Sequence, residues 1–133
     1  MAYALDANII IHLLKNTPTV VAWCDNVFTQ EIQIVIPPYV DFEIRRGIKY
    51  ANAIAKERVY KQLCNSCEMG EMRRETWELA ATIYSDLRKA SYTVGDADIL
   101  IAAFCIMDGY TLVTNNTKDF HNINGLQIED WTK

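Results

Sequence analysis

The chain has 133 residues, of which 50% are hydrophobic and 23% are charged. This length and composition predict one globular domain and exclude disordered, collagen-like and coiled-coil proteins. The longest apolar runs are shorter than the roughly 20 residues that cross a membrane, and the N-terminal residues do not resemble a signal peptide, so we expect a cytosolic protein. The formal net charge of −4 argues against a passive nucleic-acid coat, which would be basic.

Hydrophobic periodicity and the positions of proline and glycine predict short strands that alternate with helices. In chain order they are strand 3–5, helices 8–15 and 18–29, strand 32–36, helix 39–50, a further helix to about residue 63, strand 66–69, helices 75–89 and 97–107, and strands 111–114 and 126–128. Short buried strands in this order are typical of a parallel α/β sandwich. The helix over 97–107 is apolar nearly all round, so we expect it to be buried.

The charged residues are divided unevenly along the chain. Residues 45–61 hold six lysines and arginines against one glutamate, a local charge of +5. Residues 90–133 hold six carboxylates against two lysines, a local charge of −4. The first region offers a cationic track for a polyanion, and the second offers an excess of carboxylate.

Two aspartates follow predicted strands. Asp6 comes directly after the first strand, and Asp119 lies in the loop after strand 111–114. Because ligands of open parallel sheets bind beyond the carboxyl ends of the strands, we expect both side chains at one edge of the sheet. Asp6 by itself would equally serve as the N-cap of the helix that follows it.

Glu43 is unusual among the helical residues, because it shares its face with apolar residues such as Ile44. A lone carboxylate in an apolar stripe is costly, so Glu43 needs a cation, a hydrogen-bond network or a catalytic role. The structural alternative is a salt bridge from Glu43 to Arg45 or Arg46. Asp41 lies off this stripe, and we expect it to be solvated.

Two aspartates lie at the start of the apolar helix. Asp96 has the position of an N-cap, and Asp98 then falls in the first turn. Asp98 shares a face with Ile101 and Cys105, so we expect its side chain to point towards the core end of the helix. Capping explains one of the two aspartates and leaves the other without a structural role.

Four carboxylates at one edge of a sheet would repel one another strongly unless a cation neutralised them. Ligands that are all oxygen select hard cations such as Mg²⁺ or Mn²⁺. Such a cation suits phosphoryl chemistry, because it activates water and stabilises charge on a phosphate. The cationic track begins two residues after Glu43, so it would hold a polyanion beside the cation.

Four segments of the chain match the motifs of one family, in order and at compatible spacing. They are residues 3–8 (YALDAN), 42–47 (FEIRRG), 95–103 (GDADILIAA) and 111–120 (TLVTNNTKDF). The chain resembles the PIN-domain ribonucleases, and among them the VapC-type toxins of bacterial toxin–antitoxin pairs. The resemblance covers nearly the whole chain.

The resemblance implies a single PIN domain over residues 1–133, a three-layer α/β sandwich around a five-stranded parallel sheet of order 3-2-1-4-5. It implies an endoribonuclease dependent on Mg²⁺ (or Mn²⁺), in which Asp6, Glu43 and Asp98 build the metal site and Asp119 completes it. Many members cleave tRNA or ribosomal RNA with a metal-bound water. A cognate VapB-type antitoxin would block the acidic site, and homodimers are usual.

The resemblance also raises the question of the fourth metal ligand and of the substrate contacts. Some members have an acid at the position of Asn116, so Asn116 is the alternative to Asp119, which we favour. We expect Asn8 to hold the first acid, or a water, by hydrogen bonding. The predicted substrate-binding residues are Asn8, Arg45, Arg46 and Asn116.

Three other functions compete with this one. An inactive PIN-like scaffold that binds RNA or protein is the main alternative, although all four acidic positions are occupied. A phospho-acceptor signalling domain needs an aspartate closing a middle strand and a lysine closing a later one, which this chain lacks. A metal-free nuclease would use His12 and His121, although the sequence gives neither an orienting partner. Trp23, Trp77 and Trp131 are candidates for base stacking or, more ordinarily, for core and partner contacts.

Overall fold

The computed structural model describes residues 2–133, which contain five strands and seven helices. The strands are β1 (Ala2–Leu5), β2 (Gln33–Ile36), β3 (Glu68–Met69), β4 (Thr111–Val113) and β5 (Ile128–Glu129). The helices are α1 (Ala7–Leu14), α2 (Pro18–Thr29), α3 (Pro38–Ala51), α4 (Ile54–Ser66), α5 (Arg74–Lys89), α6 (Asp96–Asp108) and α7 (Thr117–Phe120). Within this range no helix combines the length and the apolar character needed to span a membrane.

The strands form one parallel sheet with the order β3-β2-β1-β4-β5, which confirms the predicted topology. Along the chain the sheet grows from β1 to β3 and then continues with β4 on the other side of β1. Helices α1 to α4 contact one another, and α5 contacts α6. Because parallel crossovers are right-handed and the chain changes direction after β3, the two groups cover opposite faces of the sheet, which gives three layers. The direction reverses between β1 and β4, and open parallel sheets bind their ligands at such a point.

The three central strands are buried, because their apolar residues pack against helices on both faces of the sheet. Leu5, Ile36 and Val113 have no exposed surface. The apolar helix α6 is buried as predicted, and its Phe104 and Cys105 belong to the same core. This core fixes the carboxyl ends of β1, β2 and β4, after which the polar residues of interest follow.

Two of the sequence predictions near the C-terminus are wrong. The last strand lies later than 126–128, because Gly125 adopts a left-handed turn conformation (φ +85°) and Ile128 is the first residue to pair with β4. The segment that carries Asp119 is a one-turn helix, α7, instead of a loop. A single turn is too short for a periodic pattern, although burial of Phe120 anchors it.

Candidate active site

Asp6 directly follows β1 at the edge where β1 and β4 end. Leu5 pairs with Val113 across these strands, so the next residues, Asp6 and Thr114, lie side by side. The Thr114 hydroxyl donates a hydrogen bond of 2.8 Å to Asp6 Oδ2, and the Ala7 backbone N–H donates one of 2.8 Å to Oδ1. Asp6 is therefore the N-cap of α1 and also a buried acid with 5% exposure.

Thr114 holds the polar residues around Asp6 together, a role that was not predicted from the sequence. Its completely buried hydroxyl oxygen accepts hydrogen bonds from Asn8 Nδ2 (3.3 Å) and from the Asn116 backbone N–H (3.0 Å). Asn8 Nδ2 also donates to Asp6 Oδ2 at 3.2 Å, as expected, and Asn8 Oδ1 accepts from the Asn115 N–H at 3.0 Å. These bonds fix the loop after β4 against the first acid. The available signal was a polar residue that ends an apolar strand.

The ionisation of Asp6 reflects these contacts. Burial raises its pKa above the ordinary value, and the hydrogen bonds from Thr114, Ala7 and Asn8 oppose the rise. Among residues 2–133 no buried side-chain nitrogen or oxygen lacks a hydrogen-bond partner. The Asp6 carboxylate is therefore oriented by the protein itself.

Glu43 lies in the second turn of α3, which begins at the carboxyl end of β2. Its side chain is 25% exposed, and Arg46 Nη2 lies 3.9 Å from its Oε2. Burial raises the pKa of Glu43, the charges of Asp6 and Asp98 add to this rise, and Arg46 opposes it. The predicted alternative, a salt bridge to a neighbouring arginine, is thus present in a long and partly exposed form, and it does not cancel the repulsion from the other acids.

Asp41 and Arg45 do not behave as the sequence analysis expected. Asp41 is not simply solvated, because its Oδ1 accepts hydrogen bonds from Arg45 Nε (2.8 Å) and from the Tyr60 hydroxyl (2.7 Å). The Arg45 guanidinium carbon also lies 5.6 Å from the centre of the Tyr60 ring. Arg45 is therefore held against α4, and Arg46 is the arginine beside Glu43. The long-range bond to Tyr60 left no periodic signal in the sequence.

Asp98 is the third residue of α6. The predicted N-cap, Asp96, is the first helical residue instead, because Gly95 takes the extended cap conformation and no side chain caps the helix. Asp98 is partly buried, and its pKa is raised to about 6 by burial and by the charges of Asp6 and Asp119. Both aspartates lie in the first turn, at the positive end of the helix dipole, and the charges of Asp6 and Asp119 act on Asp98.

Asp119 lies on α7 and is exposed. Its Oδ2 accepts a hydrogen bond of 2.9 Å from Asn116 Nδ2, and its charge contributes to the raised pKa of Asp98. Asn116 therefore orients Asp119 through its amide group. This contact links the loop that is fixed by Thr114 to the fourth acid.

The four carboxylates come from four separate segments and interact as charges at one edge of the sheet. Within residues 2–133, however, no three His, Cys, Asp or Glu side chains are grouped closely enough to hold a metal ion in their present positions. The four side chains offer oxygen donors only. Burial raises the pKa values of Asp6, Glu43 and Asp98, and neighbouring carboxylates add to the rise at Glu43 and Asp98. Oxygen donors are the ligands that hard divalent cations prefer.

The contacts of His12, His121, Trp23 and Trp131 are with residues other than the four acids. His12 Nδ1 is 2.9 Å from Thr17 Oγ1 at the end of α1, whereas His121 lines a cavity of about 310 Å³ between α5 and the loop after α7. Trp131 is completely buried and stacks on Trp23, with ring centres 5.8 Å apart. Neither the histidine pair nor these tryptophans is arranged for RNA chemistry.

The sequence model of the PIN domain family matches residues 3–126. The chain belongs to the PIN domain family. This PIN domain is 32% identical to Ribonuclease VapC1 of Rickettsia felis, with 96% of this chain and 95% of that protein aligned. It is 27% identical to the tRNA(fMet)-specific endonuclease VapC of Salmonella typhimurium, with 98% of each chain aligned. Among solved structures it is similar to VapBC-1 from nontypeable Haemophilus influenzae, with a TM-score of 0.88, 28% identity and complete coverage of both chains.

These similarities confirm the family that the four sequence motifs predicted. The similar proteins have nearly the same length as this chain, so the alignment leaves no large unmatched segment on either side. The match also includes every segment that carries one of the four acids. The acids therefore lie inside the family match and not in an added segment.

Proposed function

We propose that this chain, a single PIN domain over residues 1–133, is a metal-dependent endoribonuclease toxin of the VapC type. The observation that carries the proposal is that four acids from separate segments lie at the edge of the sheet where β1, β2 and β4 end. Burial and the charges of Asp6 and Asp119 raise the pKa of Asp98 to about 6, and those of Asp6 and Asp98 raise the pKa of Glu43. Curated relatives named as a ribonuclease and a tRNA endonuclease support this activity.

Asp6, Glu43, Asp98 and Asp119 are the residues proposed to hold the cation, Mg²⁺ or Mn²⁺. Their oxygen donors and their mutual repulsion fit a hard divalent ion. When bound, the cation supplies activation of water and stabilisation of the charge on the scissile phosphate. Asp119 is favoured over Asn116 as the fourth ligand, because it is charged and the Asn116 Nδ2 orients its carboxylate.

The proposed substrate is RNA, either tRNA or ribosomal RNA. Arg46 is half exposed beside Glu43 and is the arginine best placed to contact a phosphate. Arg45 is paired with Asp41, so its proposed contribution to substrate binding is weaker than that of Arg46. The proposed contacts of Asn8 and Asn116 with substrate are indirect, because both amides already hold acids.

We propose a VapB-type antitoxin as the protein partner. Beside Glu43 there is an apolar groove of about 160 Å³ between α1, α3 and α4, lined mainly by residues such as Ile11, Leu14 and Ile48. An apolar segment with a basic residue would fill this groove and neutralise the adjacent acid. The similar structure of VapBC-1 supports such an assembly.

We also propose that the chain forms a homodimer. Trp77 and Tyr84 on α5 are exposed by 53% and 42%, and with Leu100 of α6 they line an open apolar cavity of about 420 Å³. Apolar surfaces of this kind commonly mark contacts between proteins. The mass of the purified protein in solution would test this directly, since a monomer at micromolar concentration would contradict it.

The alternative function is an inactive scaffold that binds RNA or protein. The acid cluster argues against an RNA-binding scaffold, because carboxylates repel the phosphates of RNA unless a cation neutralises them. The test is incubation of purified protein with total cellular RNA in Mg²⁺ or in EDTA, alongside Asp98→Asn. We expect defined fragments only for the unmodified protein in Mg²⁺. Equal cleavage in EDTA, or by the variant, would contradict the proposal.

A further inference from the structure

The aromatic side chain of Phe42 is exposed by 52%, one residue before Glu43. The helix α3 begins where β2 ends, so its first two turns lie at the sheet edge that carries the acids. The buried side of α3 is formed by Val40, Ile44 and Ile48. Phe42 is therefore not needed to fill the core, and its exposure calls for another explanation.

Two neighbours hold the Phe42 ring in place. The Tyr39 ring meets it edge to face, with centres 5.8 Å apart at 67°, and the Arg46 guanidinium carbon lies 5.2 Å from its centre. The same Arg46 lies 3.9 Å from Glu43 Oε2. An aromatic face, a cation and an acid of the proposed site thus adjoin along one stripe of the helix.

A second stripe of α3, which carries Asp41 and Arg45, is occupied by contacts with α4. Asp41 is hydrogen-bonded to both Arg45 and Tyr60, so this side is tied to α4 and offers no free aromatic face. On the stripe with Phe42 and Arg46, the Phe42 ring stays 52% exposed although the Arg46 guanidinium lies over it, so a ligand can reach both groups. A ligand that combines a flat aromatic ring with an adjacent anion fits this stripe. Its ring would stack on Phe42, and its anion would pair with the Arg46 guanidinium.

We propose that Phe42, supported by Tyr39 and Arg46, is a stacking platform for an unpaired RNA base next to the scissile phosphate. This inference rests on the proposed function and adds a property of the substrate to it. A base can stack on Phe42 only after it leaves a double helix, so the platform selects single-stranded loops. A protein partner would instead be served by the apolar groove on the other side of Glu43.

The test uses the Asp98→Asn protein, which is expected not to cut, and a short fluorescent single-stranded RNA of mixed sequence. Adding Phe42→Ala should raise the Kd by roughly fivefold to a hundredfold, and Phe42→Trp should restore binding. Binding to a duplex of the same sequence should change little. The comparison variant is Tyr50→Ala, on the same helix but two turns further from Glu43, whose 95% exposed ring lies along the cationic track away from the acids and should contribute less than Phe42.

An RNA series with one abasic nucleotide at each position identifies the stacked base. At that position, the abasic RNA and Phe42→Ala should each weaken binding, and their combination should weaken it no further. The proposal is wrong if Phe42→Ala leaves the Kd unchanged, if Tyr50→Ala is equally damaging, or if the two losses add at every position.

Cleavage of total RNA in Mg²⁺ distinguishes failure of the Phe42 platform from failure of the proposed ribonuclease activity. We expect Phe42→Ala to cleave with a lower kcat/KM. If the unmodified protein cleaves and Phe42→Ala cleaves equally well, the platform is wrong and the ribonuclease proposal stands. If the unmodified protein neither binds nor cleaves RNA, both are wrong. If Phe42→Ala changes only the oligomeric mass, Phe42 belongs to a protein contact and the platform is overturned.

Discussion

Asp6, at the junction of β1 and α1, is held differently from Glu43 and Asp98, which lie within helices. Asp6 receives hydrogen bonds from Thr114, Ala7 and Asn8, all of which lower its pKa against the effect of burial. In Glu43 and Asp98 burial and neighbouring negative charges raise the pKa, and only Arg46 opposes the rise at Glu43. The protein orients the first acid by itself, whereas the other two depend on positive charge from elsewhere. We infer that the protein fixes the position of Asp6 without metal, and that a bound cation stabilises the charges of Glu43 and Asp98.

The largest expected effect is the loss of cleavage in Asp6→Asn and Asp98→Asn. Each change removes a carboxylate from the proposed metal site, so cleavage should fall by roughly a thousandfold or more. Without metal, however, the two variants should differ in stability. Asp98→Asn should be at least as stable as the unmodified protein, since it removes repulsion. Asp6→Asn should lose about 1–3 kcal/mol, since it removes an acceptor from a buried network.

Cleavage assays and urea unfolding in EDTA would check both statements. Circular dichroism spectra are the control that both variants are folded. Equal stability changes for the two variants would remove the distinction between Asp6, which caps α1, and the acids within helices.

The next largest effect is expected from Thr114→Val. The change keeps the shape of the side chain but removes the hydroxyl that binds Asp6, Asn8 and the Asn116 N–H. Leaving these buried groups unpaired should cost about 1–3 kcal/mol of unfolding free energy, measured by urea titration. Cleavage should also fall, because Asp6 loses its orientation. Thr114→Ser retains the hydroxyl and should recover most of both losses, and a Ser variant as weak as Val would argue that only packing matters.

The pH dependence of the unfolding free energy tests the environment of Asp98, one of the two acids within helices. The pKa of Asp98 is about 6 in the folded protein against an ordinary 3.8, so folding favours its protonated form. This contribution is fully present below about pH 4 and is lost as the pH rises through about 6. Because Asp98 is partly exposed, the loss should be on the order of 1 kcal/mol. Unfolding of the unmodified protein and Asp98→Asn in EDTA should therefore diverge between pH 4 and 7, and a constant difference would contradict the assignment.

The smallest effect is expected from Glu43→Gln. Removing this charge relieves repulsion from Asp6 and Asp98 but also removes the attraction of Arg46. The metal-free protein should therefore become more stable by only about 0.5 kcal/mol, since the side chain is partly exposed. The affinity for Mn²⁺ should fall in the same variant. A clearly lower melting temperature in EDTA would mean that the contact with Arg46 outweighs the repulsion.

The sequence predicted the fold well wherever a local pattern determined an element. Helix α2 has the predicted bounds, because Pro18 begins it and an amphipathic pattern continues to Thr29. The order of the sheet came from the family resemblance and not from periodicity. The start of α6 was wrong by one residue, because the N-cap preference for aspartate did not take account of Gly95, whose extended backbone ends the loop.

The sequence predicted the four acids of the candidate site but not the contacts that hold them. Thr114 gave no signal, because its role depends on the pairing of β1 with β4, residues more than a hundred positions apart. The contact between Asp41 and Tyr60 was missed for the same reason. Helical spacing could place Arg46 near Glu43, yet it could not show that Arg45 faces the other way. Local patterns thus identify the charged residues, and tertiary contacts decide which of them are free to act.

Titration of Mn²⁺ into the metal-free protein, followed by electron paramagnetic resonance, tests the central claim most directly. The measurement compares the unmodified chain with single variants of Asp6, Glu43, Asp98 and Asp119, and with Asp96→Asn as a control outside the cluster. The account predicts saturable binding that each of the four changes weakens and that Asp96→Asn leaves intact. The absence of saturable binding, or affinities that none of the four changes alters, would contradict a shared metal site.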